Sequence, residues 1–277
     1  MSTLNLPKVE IAVITSVYNG EIYISDYVDS LCRQTLKSFT LYIIDDGSID
    51  HSYIFLSENL RKSGLCYKLF RNKMNKGLTN SLIFLLEQVK ENYVTRLDID
   101  DRWYPNFLAF QFKFLKNHPN IILSCTNMEL FSFNNGDNLE HDQRCVKPFN
   151  TGLCSGFVHL NDLLIRNFII HSTVFFRRFD VIELGGYSYN YTYAQDYELW
   201  LRLLINNRKL FYHDIVFGVR IADDLCIGNK KSVEQRLSVL KIKLLKFKYL
   251  FKNYRTYYSI LRDFISVMLA FFRKLYE

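Results

Sequence analysis

The chain reads as an α/β fold, a mainly parallel mixed sheet with helices on both faces, followed by a helical tail. Three observations predict it. Short apolar runs alternate with amphipathic stretches of helical length, Gly, Asn and Asp punctuate the joins, and apolar residues make up 49% of 277 positions, enough for a large buried core.

Val9 to Thr15 is an unbroken apolar run apart from Glu10, the pattern of a strand buried on both faces, and Tyr18-Asn19-Gly20 ends it in a turn. From Glu21 to Leu36, Ile24, Val28 and Leu31 recur on one helical face. Thr40 to Ile44 is a second strand closed by the polar turn Asp45-Asp46-Gly47-Ser48, with a helix from His51 to Lys62 behind it. Leu65 to Phe70 follows as a strand, Gly77 to Lys90 as a helix and Tyr93 to Leu97 as a fourth strand. Tyr104 to Lys116 is expected helical, Ile121 to Ser124 extended, and Phe131 to Gly156 a long loop or irregular hairpin holding Asn134-Asn135-Gly136-Asp137. Further on come a strand at Ser172 to Phe176, a turn at Gly185-Gly186, a helix from Ala194 to Asn206 and extended chain from Leu210 to Val219.

In sheets of this kind ligands collect beyond the carboxyl ends of the strands. Tyr18-Asn19, Asp45-Asp46 and Asp98 to Asp101 all follow such ends, so the fold gathers them on one rim. Asp98, Asp100 and Asp101 repel one another unless a cation neutralises them, and oxygen-only ligands suit Mg²⁺ or Mn²⁺ better than zinc. The plainer alternative is a solvated acidic turn before Trp103-Tyr104-Pro105.

Composition narrows the classes further. Between Gln235 and Glu277 ten basic residues face two acids, which exceeds the formal +7 of the whole chain, so residues 1–234 are slightly acidic and do not ask for nucleic acid. Cys32, Cys66, Cys125, Cys145, Cys154 and Cys226 form no Cys-x-x-Cys pair, which is expected of free cytosolic thiols. Met1 to Lys8 lacks a signal-peptide pattern, and Phe264 to Phe272, nine residues, is too short to cross a bilayer. The first strand is followed by Val17-Tyr18-Asn19-Gly20 and not by Gly-x-Gly-x-x-Gly, so a nicotinamide dehydrogenase is not indicated.

Taken in order, several segments resemble the inverting family 2 glycosyltransferases of the GT-A fold: Val13 to Gly20, Gln34-Thr35, Ile43 to Asp50, Asn75 to Leu82, Leu97-Asp98-Ile99-Asp100-Asp101, His171 to Arg178, Gly185-Gly186-Tyr187 and Gln195 to Arg202. The resemblance covers about Val9 to Arg220. It implies a catalytic domain over residues 1–226, with a nucleotide-sugar half to about 125 and an acceptor half beyond it, and a separate basic, aromatic tail over 227–277.

The resemblance also implies roles. Ser16, Tyr18, Asn19 and Asp46 would hold the base of a nucleotide-sugar donor, a UDP-sugar by family frequency, with Tyr18 stacking and Asp46 accepting a base N–H. Lys76 would approach the diphosphate, or else is a solvated helix-start residue. Asp98 and Ile99 would face the ribose, and Asp100 with or without Asp101 would ligate Mn²⁺ or Mg²⁺, which stabilises the departing diphosphate. Asp196 would take the proton from the acceptor hydroxyl; its plain alternative is an acid favoured at a helix start. Tyr193, Glu198 and Trp200 would line the acceptor side, although Trp200, among Leu199, Leu201 and Leu203, also suits packing. His171 is read as structural or as an acceptor-side hydrogen-bonding group.

Two departures from the family stand out. Gln195 occupies a position where Glu is commoner, and Arg220-Ile221-Ala222 lacks the His of an Arg-x-His pattern, leaving Asp223, Asp224 or nothing in its place. From Gln235 to Arg262 lysines interleave with Leu, Phe and Tyr, which suits an anionic membrane surface, the catalytic body or a second subunit in a homo-oligomer. The expected function is transfer of a sugar to a glycan or lipid-linked acceptor in surface-polysaccharide synthesis, in the cytoplasm and peripheral to the plasma membrane. The alternative is a catalytically inactive, glycan-binding or membrane-associated scaffold of the same fold.

Overall fold

The computed structural model describes residues 10–132, 147–148, 153–222, 233–246 and 254–276. The expectations for Met1 to Lys8, Val9, most of Phe131 to Gly156, Cys145, Asp223, Asp224, Cys226 and Phe247 to Lys252 lie outside the described residues.

The first half alternates as its sequence predicts: β1 (Ile11–Val17), α1 (Ile24–Cys32), β2 (Phe39–Asp45), α2 (Ser52–Ser63), β3 (Tyr67–Arg71), α3 (Leu78–Gln88) and β4 (Tyr93–Arg96). Next come β5 (Asp101–Trp103), α4 (Phe107–Asn117), β6 (Ile121–Ser132), β7 (Lys147–Pro148), β8 (Gly156–Phe157), α5 (Leu160–Ile165), β9 (Phe175–Arg177), α6 (Arg178–Glu183), α7 (Gln195–Ile205), β10 (Lys209–Ala222), α8 (Val233–Leu245) and α9 (Tyr254–Tyr276).

The sheet runs β3-β2-β1-β4-β9-β6-β10-β5. Its first four strands are parallel, β9 enters antiparallel between β4 and β6, and β5 closes the far edge antiparallel to β10. Side chains alternate across each strand, so β1 sends Ile11, Val13 and Val17 to one face and Ala12 and Ile14 to the other. The first face packs on α1, α2 and α4, and the second on α3, α5, α7 and Ile242 of α8. Cys32, Cys66, Cys125 and Cys154 are free thiols.

One expected strand is displaced. Ser172 falls in a 3₁₀ turn (His171–Thr173), and extended chain begins only at Phe175. Here side chains replace the sheet ladder: the indole N–H of Trp103 donates to the Ser172 carbonyl at 2.7 Å, Gln111 donates to the Thr173 carbonyl at 2.9 Å, and the Thr173 hydroxyl donates to Thr126 O at 2.9 Å. The strand expected at Ile121 to Ser124 is longer than its sequence pattern suggests, because β6 continues to Ser132 alongside the bulged strand β10. Strand β5 and helices α5 and α6 are additions that the sequence pattern did not disclose; each is six residues or fewer, too short for a periodic signal.

Candidate active site

β1 has β2 on one side and β4 on the other, so the loops leaving β1 and β4 part at a crevice over the strand ends. The register Ile14 to Arg96 brings Gly20 and Ile99 together: a Cβ built on Gly20 would stand 3.2 Å from Ile99 Cγ2. Ser16, half-buried near the end of β1, sits in register with Ile44.

The loops after β1 and β2 are knitted to each other. Asn19, at φ +50°, donates its backbone N–H to Ser48 Oγ at 3.0 Å and accepts from Ile49 N at 3.0 Å. Gly20 N–H donates to Ser52 Oγ at 2.9 Å, and Asp45, fully buried, accepts from Ser48 N and pairs with Arg71 at 3.1 Å. Tyr18 stays 46% exposed at the mouth, available for stacking.

Asp46 is placed differently from the simplest expectation. It is buried, and its two oxygens accept from Asn72 Nδ2 at 2.6 Å, Lys76 N at 3.1 Å and Gly77 N at 2.9 Å. Three of roughly four acceptor positions on a carboxylate are therefore used to tie the β2 loop to the start of α3. Lys76 takes part through its backbone N–H, and its side chain is exposed.

Asp98, Asp100 and Asp101 each offer a carboxylate oxygen, and these oxygens all lie within 4.8 Å of one another. Asp98 and Asp100 are partly exposed, while Asp101, on β5, is fully buried opposite Arg220 of β10. Three convergent hard donors fit Mn²⁺ or Mg²⁺, and Asp98 joins the two acids singled out from sequence as metal candidates.

Asp196 lies in the first turn of α7, directly after Ala194 in the left-handed region at φ +58°. It is joined to the acidic rim by two buried residues. Arg96, the last residue of β4, ion-pairs with Asp98 and donates to His171 Nδ1, and His171 Nδ1 stands 3.9 Å from Asp196 Oδ2. The guanidinium can only donate, so the His171 proton sits on Nε2, which donates to the Tyr187 hydroxyl at 2.7 Å. Burial pushes the Asp196 carboxyl above the usual carboxylate range, with Asp98 adding to the rise and the Tyr197 amide and Arg96 opposing it. Sequence reading passed over Arg96; its signal was a lone cation inside the otherwise uncharged run Tyr93 to Leu97.

Two expected acceptor-side residues turn inward. Trp200 is fully buried, its ring edge-on to His171 at 5.5 Å, and so packs beneath the site. Glu198 is buried between Arg202 at 2.8 Å and Lys246 at 3.4 Å; Arg202 in turn donates to Gly186 O at 2.6 Å. Glu198 therefore fixes the Gly185-Gly186 turn, whose residues take φ +91° and +59°, and does not face the crevice. Tyr193 remains half-exposed in a loop that Thr79 of α3 anchors, donating to Tyr191 O at 2.9 Å.

The model for glycosyl transferase family 2 matches residues 12–185. The chain belongs to glycosyl transferase family 2. Among curated family relatives, the amylovoran biosynthesis glycosyltransferase AmsE of Erwinia amylovora is 26% identical over 77% of this chain and 77% of its own length. A UDP-Gal:alpha-D-GlcNAc-diphosphoundecaprenol beta-1,3-galactosyltransferase of Escherichia coli is 25% identical over 94% of this chain and 88% of its own. An uncharacterized glycosyltransferase of Rickettsia typhi is 26% identical, and the match spans 64% of its length. Among solved structures, S. aureus TarS 1-349 in complex with UDP-GlcNAc superposes with a TM-score of 0.66 at 18% identity, over 85% of this chain and 66% of that one. The mannosyltransferase PcManGT of Pyrobaculum calidifontis, in complex with GDP-Man and Mn²⁺, gives 0.63 at 15%, over 94% and 70%. The fold of this family 2 chain is GT-A.

Proposed function

We propose that the chain is a metal-dependent, inverting glycosyltransferase that moves a sugar from a UDP-sugar to a hydroxyl of a glycan or lipid-linked saccharide during assembly of a surface polysaccharide. The observation that carries this reading is the link Asp98–Arg96–His171–Asp196, which holds a lone carboxylate beside, but apart from, a cluster of three.

A divalent ion held by Asp98, Asp100 and Asp101 would neutralise charge developing on a departing nucleoside diphosphate. The chain's own residues do the rest. Tyr18 offers a stacking face for the base, and Asp46 keeps the loop beneath it in shape while one acceptor position remains for a base N–H. Asp196 takes the proton from the acceptor hydroxyl; burial raises its pKa, which makes its carboxylate form a stronger base than an ordinary carboxylate. Attack from the side opposite the diphosphate inverts the anomeric centre. Tyr193, at the open edge, supplies an aromatic face for the acceptor.

The donor reading is supported by the nucleotide-sugar complexes of the two structural relatives, and the acceptor reading by the lipid-linked substrate in the name of the Escherichia coli relative. A lipid-linked acceptor places the work at the inner face of the plasma membrane, with the protein peripheral to it. The test is a panel of nucleotide sugars screened for Mn²⁺-dependent thermal stabilisation, followed by NMR of the anomeric configuration of the product. Stabilisation by no nucleotide sugar, or a product retaining the donor's configuration, contradicts the proposal.

A further inference from the structure

Helix α9 has a mixed packed side and an apolar outward side. The packed side carries Ile260 and Val267 beside Ser259, Asp263, Ser266 and Ala270; the Ser259 hydroxyl meets Lys243 Nζ at 2.6 Å and the Ile165 carbonyl at 3.0 Å, while Asp263 pairs with Lys243 at 2.6 Å. Its outward side carries Tyr257, Tyr258, Leu261, Phe264, Ile265, Met268, Leu269 and Phe271, each 41% to 70% exposed. At 3.6 residues per turn these fall within one arc of about 160°, with the exposed Arg255 and Arg262 along a single edge of it. A soluble monomer rarely leaves so long an apolar stripe in water.

We infer that this outward face of α9 is a docking surface for an anionic lipid bilayer, lying in the plane of the interface. Charge selects the occupant. Asp263 is the one acid from Gln235 to Tyr276 and is shared between Lys243 at 2.6 Å and Arg262 at 3.0 Å, so the sequence around the stripe is strongly net positive. A second copy would set two such basic segments against each other, whereas anionic headgroups attract them. No helix among the described residues is long and apolar enough to cross a membrane, which agrees with a helix that lies on one. The lipid-linked acceptor reading gives this surface a purpose, but the contact rests on α9 itself and on no step of sugar transfer.

The surface differs from the one that sequence alone suggested. Two lysines of that stretch face the body instead: Lys243 of α8 is buried against Asp263, and Lys246, just beyond α8, reaches back to Glu198 of α7.

The experiment is sedimentation of the purified full chain with pure phosphatidylglycerol or pure phosphatidylcholine vesicles, at low and high salt. Binding to phosphatidylglycerol, at least about tenfold weaker on phosphatidylcholine and reduced by salt, is the expected result. Leu261→Asp with Ile265→Asp abolishes it, while Arg255→Glu, which leaves the apolar stripe whole, weakens it about fivefold or more; circular dichroism and thermal midpoints check that both variants stay folded. Equal binding to both lipids, no binding, or a dimer in sedimentation velocity that the double variant dissociates would each overturn the inference. None of these readouts requires a working donor, so a failure of the transferase reading is separately visible.

Discussion

His171 holds its Nδ1 3.9 Å from Asp196 Oδ2 while that same nitrogen accepts a hydrogen bond from Arg96. A neutral imidazole thus stands between a cation that serves the acidic cluster and the carboxylate assigned as base. Replacing it by a ring of similar shape, His171→Phe, leaves a buried Arg96 N–H without its acceptor, at a cost of about 1–3 kcal/mol. Denaturant unfolding is expected to show that loss, and kcat is expected to fall with it as Asp196 shifts.

Asp196→Asn should separate chemistry from stability. Transfer falls by about 10²–10⁴-fold, the usual worth of a general base, while Mn²⁺-dependent donor binding is spared. The folded-state pKa of Asp196 is raised, so its contribution favours the fold below the ordinary carboxylate value of 3.8 and is lost as pH rises through the raised value. At neutral pH the wild-type fold therefore carries a cost that the amide removes. A thermal midpoint for the variant equal to or above wild type is expected; a clear fall would argue against buried ionisation. For the wild-type enzyme, the acidic limb of kcat should lie above 3.8.

Neutralising one of the clustered acids has opposite effects with and without metal. Asp100→Asn should raise the metal-free midpoint, by about 1 kcal/mol in stability, because three carboxylates within 4.8 Å repel one another. It should also weaken Mn²⁺-dependent stabilisation by UDP. Calorimetry in chelator and in Mn²⁺ reads both, and a drop in chelator would contradict the crowding argument.

Gly47 takes φ +75°, and a Cβ there would lie 2.4 Å from the backbone carbon of Met74. Gly47→Ala therefore strains its own backbone and drives apart the two loops that Asp46 joins, at a cost of about 3 kcal/mol. Loss of nucleotide binding is expected alongside a lowered thermal midpoint.

His213 is buried among Phe110, Phe114 and Phe211, and this burial, with His118 adding, lowers its pKa to about 4. Protonation is easier in the unfolded chain, so stability is lost as pH falls from 6.5 towards 4, by an order of about 3 kcal/mol. His213→Phe should flatten that part of the stability profile in urea titrations.

Much of this was readable from sequence because it depends on local signals. Apolar runs ending in Asn19, Asp46 and Asp98 marked strand ends on one rim, and the parallel first half of the sheet does bring those ends together. What the pattern could not reveal depends on distant partners. Trp200 and Glu198 look like any aromatic and acid on a helix near a site, and only Lys246, 48 positions beyond Glu198, shows that the acid faces protein. Arg96 was hidden for the same reason, since its partner His171 lies 75 positions away in the sequence. The displaced strand at Ser172 reflects side-chain bonds from Trp103 and Gln111, which no periodicity encodes.

The clasp that α8 makes on α7 has a practical corollary. Were the chain shortened after Ala222, Glu198 would lose one of its two cations, Arg202 alone would neutralise it, and Ile242 would vacate its seat in the core. The final segment thus serves as a keystone for the helix bearing Asp196, and a trimmed protein should turn over poorly even when offered a water-soluble acceptor.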